Sequence, residues 1–392
     1  MIEQIFGGAY RGRRVLVTGH TGFKGSWLSL WLARLGAEVH GYALQAPTEP
    51  ALFNEADVEG CLASHCVGDV RDSAALAARI RAIEPEVVFH LAAQPLVRRS
   101  YSEPRETYDV NVMGTVNLLE AVRAAESVRV CQVVTSDKCY ENREWVYAYR
   151  ESDPMGGYDP YSSSKGCAEL VTAAYRRSFF SQRLGDEAPV SLSTVRAGNV
   201  IGGGDWAEDR IIPDCIRALE IGKTIPVRNP DAVRPWQHVL EPLSGYLHLA
   251  ASQSHKPVVF ADAWNFGPDG AGNLPVRELV ELLVTQWGSG ASWEDLSPAV
   301  SDAARDRLHE ATFLKLDITK SQSLLGWRPV LSVPGAIQLT VEWYRTRGEQ
   351  TRSSRVRDLC LQQIEDYVEL AARSGQIWAG AGTAPEVGYA RC

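Results

Sequence analysis

Apolar residues in this chain fall into short continuous runs, separated by longer stretches in which they recur every three or four positions. Val15-Leu16-Val17, Glu38 to Leu44, the Val-Val-Phe core of Glu86–Gln94, Val130 to Val134 and Val190 to Val195 are of the first kind. They read as strands buried on both faces. Ser73 to Ile83, Pro104 to Ala125 and Tyr161 to Phe180 are of the second kind and read as helices. Strand and helix alternate from residue 13 to about 195, which predicts an α/β fold: a Rossmann-type doubly wound parallel sheet with its ligand crevice at the strand ends. Residues 1–195 and 236–267 are expected to form this lobe, with Val258 to Asn265 as an added strand. Residues 196–235 and 268–348 are expected to make a smaller α/β substrate-binding lobe. In 349–392, apolar positions at Val356, Leu359, Cys360, Ile364, Tyr367 and Leu370 suit a lobe-capping or oligomer-facing helix. The Gly/Ala-rich end after Gly375 reads as mobile.

After the first strand, Gly19-His20-Thr21-Gly22-Phe23-Lys24-Gly25 makes a glycine turn that opens a helix near Phe23. Glycines allow the tight bend and the close approach of a dinucleotide pyrophosphate, whose charge meets the unpaired N–H groups of the helix start. Taken alone, the GxxGxxG spacing also fits a loop with structural glycines. Gly19, Thr21, Gly22, Phe23, Lys24 and Gly25 are candidate cofactor contacts, as are Leu91, Ala92, Ala93 and Gln94, where a strand ends in small residues. The second strand ends without the acidic residue that often bonds an adenosine ribose, and without an Arg for a 2′-phosphate. His20 and Lys24 are the cations of the turn that come into question there. Asp69 and Val70 are assigned to the adenine side, with an N-cap for the helix from Ser73 as the competing reading of Asp69.

Tyr161 and Lys165 stand one helical turn apart on a shared face after Pro160. A nearby cation favours the phenolate, so the pair suits removal of a proton from a sugar hydroxyl during hydride transfer. Ser136, Asp137 and Lys138 leave the end of another strand together, where a parallel sheet faces its ligand. Further on, Arg196-Ala-Gly-Asn199 to Arg210 follows a strand and leads into a helix near Ile212. Asn199 and Arg210 have the chemistry to hold a pyrophosphate, the intervening glycines to let the backbone come close, and Arg234 adds a second cation beside Trp236. Trp206 and Trp236 fit a ligand wall or the core equally.

A formal net charge of −8 over 392 residues argues against a general nucleic-acid binder. The chain has no run of eighteen apolar residues and no signal-like start, so no membrane partner is expected and the cytoplasm is the expected location. The eight cysteines, including Cys139 and Cys392, form no CxxC and no cluster with His, so they read as reduced thiols and imply no metal.

These segments together carry a resemblance. Residues 19–32, 90–101, 135–145, 153–171, 196–214 and 234–247 resemble the extended short-chain dehydrogenases/reductases, and closely the branch of nucleotide-sugar 4,6-dehydratases that acts on CDP-glucose. The resemblance implies NAD, reduced and reoxidised within one turnover. It implies that Tyr161 deprotonates the C4 hydroxyl, that Ser136 bonds the same oxygen, and that Lys165 holds the phenolate and the nicotinamide ribose. Related dTDP-glucose enzymes carry an Asp-Glu pair for the elimination of water, where this chain has Asp137-Lys138. Lysine serves as a base only after losing its proton, which burial and adjacent positive charge favour. A supply of deoxysugars for cell-surface polysaccharide such as O-antigen is implied too, as is a homodimer or homotetramer built on the helices at 104–125 and 161–180. A 4-epimerase, a dehydratase for another nucleotide, and a silent dinucleotide-binding regulator are the competing readings. The elimination pair speaks against the first, and the intact turn, Tyr161 and Lys165 against the last.

Overall fold

The computed structural model describes residues 2–180, 190–288, 290–297, 313–348 and 353–380. Its centre is a seven-stranded sheet: β1 (Arg14–Thr18), β2 (Glu38–Ala43), β3 (Ser64–Val67), β4 (Val87–His90), β5 (Val130–Val134), β6 (Ser191–Ala197) and β7 (Ala263–Phe266). The order across it is β7-β6-β5-β4-β1-β2-β3, and every pairing is parallel. The α/β doubly wound expectation therefore stands. Strand order reverses between β1 and β4, which opens a crevice above their C-terminal ends.

β1, β4, β5 and β6 are almost wholly buried, as continuous apolar runs between helical layers must be. On one side lie α1 (Phe23–Arg34) and α6 (Leu240–His255); on the other lie α2 (Ser73–Ile83), α3 (Gly114–Arg123) and α4 (Pro160–Ser178). A short helix at Pro104–Tyr108 runs through a π-turn at Asp109–Met113 into α3, so the segment expected as one long helix is continuous but locally widened.

The added strand is shorter than its apolar run suggested. Pro257 starts a one-turn helix through Phe260, because its ring presets a helical φ and its missing N–H needs no partner at a first helical position. Only Ala263–Phe266 pairs with β6, in register Ala263 to Thr194. Outside the central sheet the chain adds α5 (Ile211–Glu220), α7 (Val276–Trp287), α8 (Val333–Gly348) and short two-stranded pairs. Segment 298–312 lies outside the described residues.

α9 (Ser353–Arg373) buries Val356, Cys360, Ile364 and Tyr367 against the core, with Tyr367 edge-on to Trp31 of α1 at 5.9 Å and the Trp343 indole N–H donating to Cys360 Sγ at 3.2 Å. It therefore caps its own chain. Leu370, expected on that face, is 38% exposed, because Ala371 takes the inward position. The chain just after Gly375 is packed into the core, contrary to expectation: Trp378 is buried and its ring stacks on Phe6 at 5.0 Å. The rest of the expected mobile tail and Cys392 lie outside the described residues. All seven described cysteines are unpaired. No helix among the described residues is long and apolar enough to cross a membrane.

Candidate active site

The glycine turn joins β1 to α1 and lies against the segment after β4. Gly19 has φ +74°, and a Cβ there would stand 2.6 Å from the Ala92 nitrogen; one at Gly25 would stand 2.1 Å from the Gly19 oxygen. Only glycine fits this fold of the backbone. Gly22 is the N-cap of α1 and no side chain caps the first amides of the helix, so these donors suit a pyrophosphate. The residues present therefore fit a dinucleotide. Leu91, Ala92 and Ala93 line the adjoining segment in partly buried positions. Gln94 instead braces its own loop: its side chain donates to Thr107 Oγ1 at 2.9 Å and accepts from the Leu96 N–H at 2.6 Å.

His20 corrects one expectation. Its ring lies beneath β2, where a Cβ on Gly41 would meet it at 2.4 Å, and its Nε2 is 2.7 Å from His65 Nδ1. Burial, then the His65 charge, lowers its pKa to about 4, so it is neutral near pH 7 and supplies no cation for a 2′-phosphate. For Asp69 the competing N-cap reading falls. The N-cap of α2 is Asp72, which accepts from the Ala75 N–H at 2.9 Å. Asp69 instead holds Arg71 at 2.5 Å, and that bond keeps its carboxyl below the usual range. Val70, next to it, is buried against Gly114.

Across the crevice, β5 ends at Val134 and the chain turns through Asp137–Cys139. Ser136 caps that turn: its Oγ accepts from the Lys138 N–H at 3.2 Å and donates to Asp137 Oδ1 at 3.0 Å. Asp137 is buried, and its Oδ2 has no hydrogen-bond partner among the described residues. Burial raises its pKa against the pull of Lys138, Ser136, Arg234 and Lys24. A carboxyl so placed favours its neutral, proton-donating form.

α4 starts where its sequence demands. Asp159 accepts from the Ser162 N–H at 2.9 Å and Pro160 fills the first helical position. Tyr161, Lys165 and Glu169 then succeed one another on one face, all buried. Lys165 Nζ donates to the Val134 carbonyl at 3.2 Å, and burial lowers its pKa to about 8 against the charge of Glu169. Burial pushes the Tyr161 phenol up to about 12, opposed by its hydrogen bond with Ser136 and by Arg210. Ser136 and Arg210 thus act on the phenol from outside the helix that carries Lys165. Glu169 and Arg196 form the support that sequence reading missed: Nε to Oε1 is 2.9 Å and Nη2 to Oε2 is 2.7 Å, both side chains buried. Burial alone would raise the Glu169 pKa, but Arg196 and the Thr135 and Thr194 hydroxyls hold it low. The signal was present as an acid two turns beyond Tyr161 on the same face.

Arg210 binds Asp205 at 3.0 Å, and its charge also acts on Tyr161. Arg234 is buried and acts on Asp137. Asn199 is partly buried, and its backbone carbonyl accepts from the Gln237 N–H at 3.1 Å. The glycines between Asn199 and Asp205 were expected to admit a ligand; they admit the core instead. A Cβ on Gly203 would stand 2.0 Å from the Trp343 ring. Both tryptophans left open are core residues: Trp206 Nε1 donates to Glu55 at 3.0 Å and Trp236 Nε1 to the Leu274 carbonyl at 2.9 Å.

Residues 16–340 match the family model for GDP-mannose 4,6 dehydratase. The chain is 49% identical over 375 residues to CDP-glucose 4,6-dehydratase of Salmonella typhimurium, covering 95% of this chain and 100% of that one. It is 27% identical to UDP-glucose 4-epimerase of Mycolicibacterium smegmatis over 86% of this chain and 100% of that one. A solved dTDP-glucose 4,6-dehydratase, DesIV of Streptomyces venezuelae with NAD and TYD bound, superimposes with a TM-score of 0.71 at 26% identity, over 86% of this chain and 98% of that one. A match spanning both the glycine turn and the tyrosine–lysine helix leaves one conclusion: the chain belongs to the GDP-mannose 4,6 dehydratase family of nucleotide-sugar-modifying enzymes, within the extended short-chain dehydrogenases/reductases.

Proposed function

We propose that this enzyme dehydrates CDP-glucose to CDP-4-keto-6-deoxyglucose, using NAD that is regenerated in each turnover. The observation that carries the reading is the convergence of Tyr161, Ser136 and the Asp137-Lys138 pair at one crevice, in a chain 49% identical to a CDP-glucose 4,6-dehydratase. NAD, when bound, supplies the acceptor for hydrogen from C4 and its return to C6. Gly19, Thr21, Gly22, Phe23, Lys24 and Gly25 hold it on one side, with Leu91, Ala92, Ala93 and the Gln94 backbone on the other and Asp69 and Val70 toward the adenine.

Tyr161 takes the C4 hydroxyl proton while Ser136 bonds that oxygen. Lys165 fixes the phenol's helix to the end of β5. The resulting ketone acidifies the C5 proton, which passes to Lys138 as the base, and Asp137 gives its proton to the departing C6 oxygen as water leaves. Asn199, Arg210 and Arg234 hold the diphosphate. Arg210→Ala is expected to weaken CDP binding by roughly 2–5 kcal/mol, because the diphosphate then loses its cation and meets the Asp205 carboxylate uncompensated; unchanged affinity by calorimetry would remove Arg210 from the diphosphate.

Incubation of CDP-glucose, UDP-glucose and dTDP-glucose with protein and NAD, read by mass spectrometry, tests the whole. Loss of one water from CDP-glucose alone is the expected outcome. An isomer without water loss would make the enzyme an epimerase, and silence with all three would return the regulator reading.

We place the enzyme in the cytoplasm, supported by its unpaired thiols, and assign its product to deoxysugar supply for cell-surface polysaccharide. The 1–195 and 236–267 lobe, the 196–235 and 268–348 lobe and the 349–392 cap are retained as its organisation. The helices at 104–123 and α4 leave Tyr108, Met113 and Leu170 exposed, the last at 60%. This apolar face supports a two-fold homodimer, or a tetramer of two such pairs. Leu170→Glu should sediment as a monomer while the unmodified protein does not; a monomeric unmodified protein would refute the pairing.

A further inference from the structure

Arg196 is buried near the end of β6, and its guanidinium joins separate parts of the chain. Nε and Nη2 hold the two oxygens of Glu169 on α4. Nη1 points elsewhere: it donates to the Tyr140 hydroxyl at 2.7 Å and to the Glu151 carbonyl at 3.2 Å. Tyr140 in turn donates to Asn265 Oδ1 of β7 at 2.7 Å, and its ring stacks on Tyr149 with centroids 5.2 Å apart. A buried ion pair gains little stability over apolar residues of the same volume. What a planar guanidinium adds is a rigid fork that holds two groups at a set separation.

Those two groups belong to the two halves of the chemistry. Glu169 lies on the face of α4 that carries Tyr161 and Lys165. Tyr140 leaves the turn that carries Asp137 and Lys138. Helix and turn also touch directly, at Gly166, where a Cβ would stand 3.2 Å from the Cys139 carbonyl oxygen and 2.6 Å from that of Gly156. This contact is backbone against backbone and has no side chain to key one element into the other. The start of the turn is fixed without Arg196, since Lys165 Nζ donates to the Val134 carbonyl and the Thr135 N–H to the Val195 carbonyl at 2.9 Å. Its exit pairs with Pro154 and Gly156, in the same irregular segment whose Glu151 carbonyl Arg196 holds. β6 itself passes beside the turn, where a Cβ on Gly198 would stand 3.1 Å from Asp137 Oδ2.

We propose that Arg196 is a positioning residue that sets the elimination pair against the oxidation pair. One arm of its fork fixes the helix of Tyr161 through Glu169, and the other fixes the exit of the Asp137-Lys138 turn through Tyr140. Each arm then governs its own step on one sugar ring. The proposal rests on the dehydratase reading above.

Single turnovers of the NAD-loaded protein with CDP-glucose test it, with reduced dinucleotide followed by near-ultraviolet absorbance and water loss by mass spectrometry. Tyr140→Phe keeps the ring on Tyr149 and removes the hydroxyl from Arg196. It is expected to reduce the dinucleotide at the original rate and to release water about 10²-fold more slowly, so that the reduced form builds up. Arg196→Lys keeps a cation for Glu169 without the fork that also reaches Tyr140, and should behave alike. Glu169→Gln should do the reverse, slowing reduction itself with no build-up. Should Glu169→Gln fail to fold, Thr194→Val, which takes a single donor from that carboxylate, replaces it. A crystal structure of Tyr140→Phe without ligands should show the turn at Asp137–Cys139 displaced and Tyr161 in place.

An unmoved turn, unchanged rates in Tyr140→Phe, or variants in which both steps slow by one factor together with a fall in Tm would overturn the proposal; the last would make Arg196 plain scaffold. Water release with the wrong division of steps leaves the dehydratase reading standing and removes only Arg196. Reduction without water loss in the unmodified protein sinks that reading, and Arg196 then keeps a role only if Glu169→Gln alone slows the reduction. A protein that reduces no dinucleotide sinks both.

Discussion

Tyr161→Phe is expected to lose about 10²–10⁴-fold in water release from CDP-glucose, the range a positioned general base supplies. The ring still fills its buried position on α4, and the hydroxyl removed has Ser136 as its hydrogen-bonding neighbour, so melting should change little. The loss then belongs to proton removal at C4. A variant within about threefold of the original rate would take Tyr161 out of that role. The same chemistry sets a pH dependence for the oxidation step. The phenol is held at about 12 and the Lys165 ammonium at about 8. A rising pH brings the phenol closer to its reactive anion, so C4 oxidation should accelerate up to the range where Lys165 discharges, and level or fall beyond it. An oxidation rate flat between pH 6 and 8 would contradict that order.

Lys138→Ala is expected to divide the reaction. C4 oxidation needs Tyr161, Ser136 and Lys165, all untouched, so reduced dinucleotide should accumulate on the enzyme and be visible in its near-ultraviolet absorbance. Removal of the C5 proton then lacks its base, and water release should drop by about 10²–10⁴-fold. Deuterium from solvent should fail to enter at C5. Full dehydration by this variant would transfer the base role away from Lys138, with Asp137 as the group still at hand.

Much of this architecture was legible because it depends on near neighbours in sequence. The buried runs at Val15–Val17 and Val130–Val134 became central strands, and the four-residue spacing of Tyr161 and Lys165 became one helical face, since side-chain periodicity is a local property. What could not be read depends on partners far along the chain. Glu169 looked like one more polar helix residue until β6 brought Arg196 beside it. The glycines at 202–204 resembled a ligand loop, and only the approach of Leu52, Val239 and Trp343 shows what excludes their side chains. Asp69 and Asp72 both precede α2 closely enough to cap it, and the position of the first helical turn decides between them. His20 presented itself as a cation because burial under Gly41 has no trace in its immediate neighbours.

The stacking of Phe6 on Trp378 joins the two extremes of the described chain, and Tyr10 adds a bond to the Leu247 carbonyl at 2.6 Å. Loop closure of such length costs little more than closure of half of it, because the entropy grows only with the logarithm of the loop. Time is the larger issue. At synthesis rates of 5–20 residues per second, Phe6 and Trp31 wait on the order of tens of seconds for the aromatic residue that covers them. During that interval the first strands already have partners, yet one face of α1 stays open to other apolar surfaces. The nascent chain is therefore exposed to misassociation along α1 until the segment around Trp378 has been made.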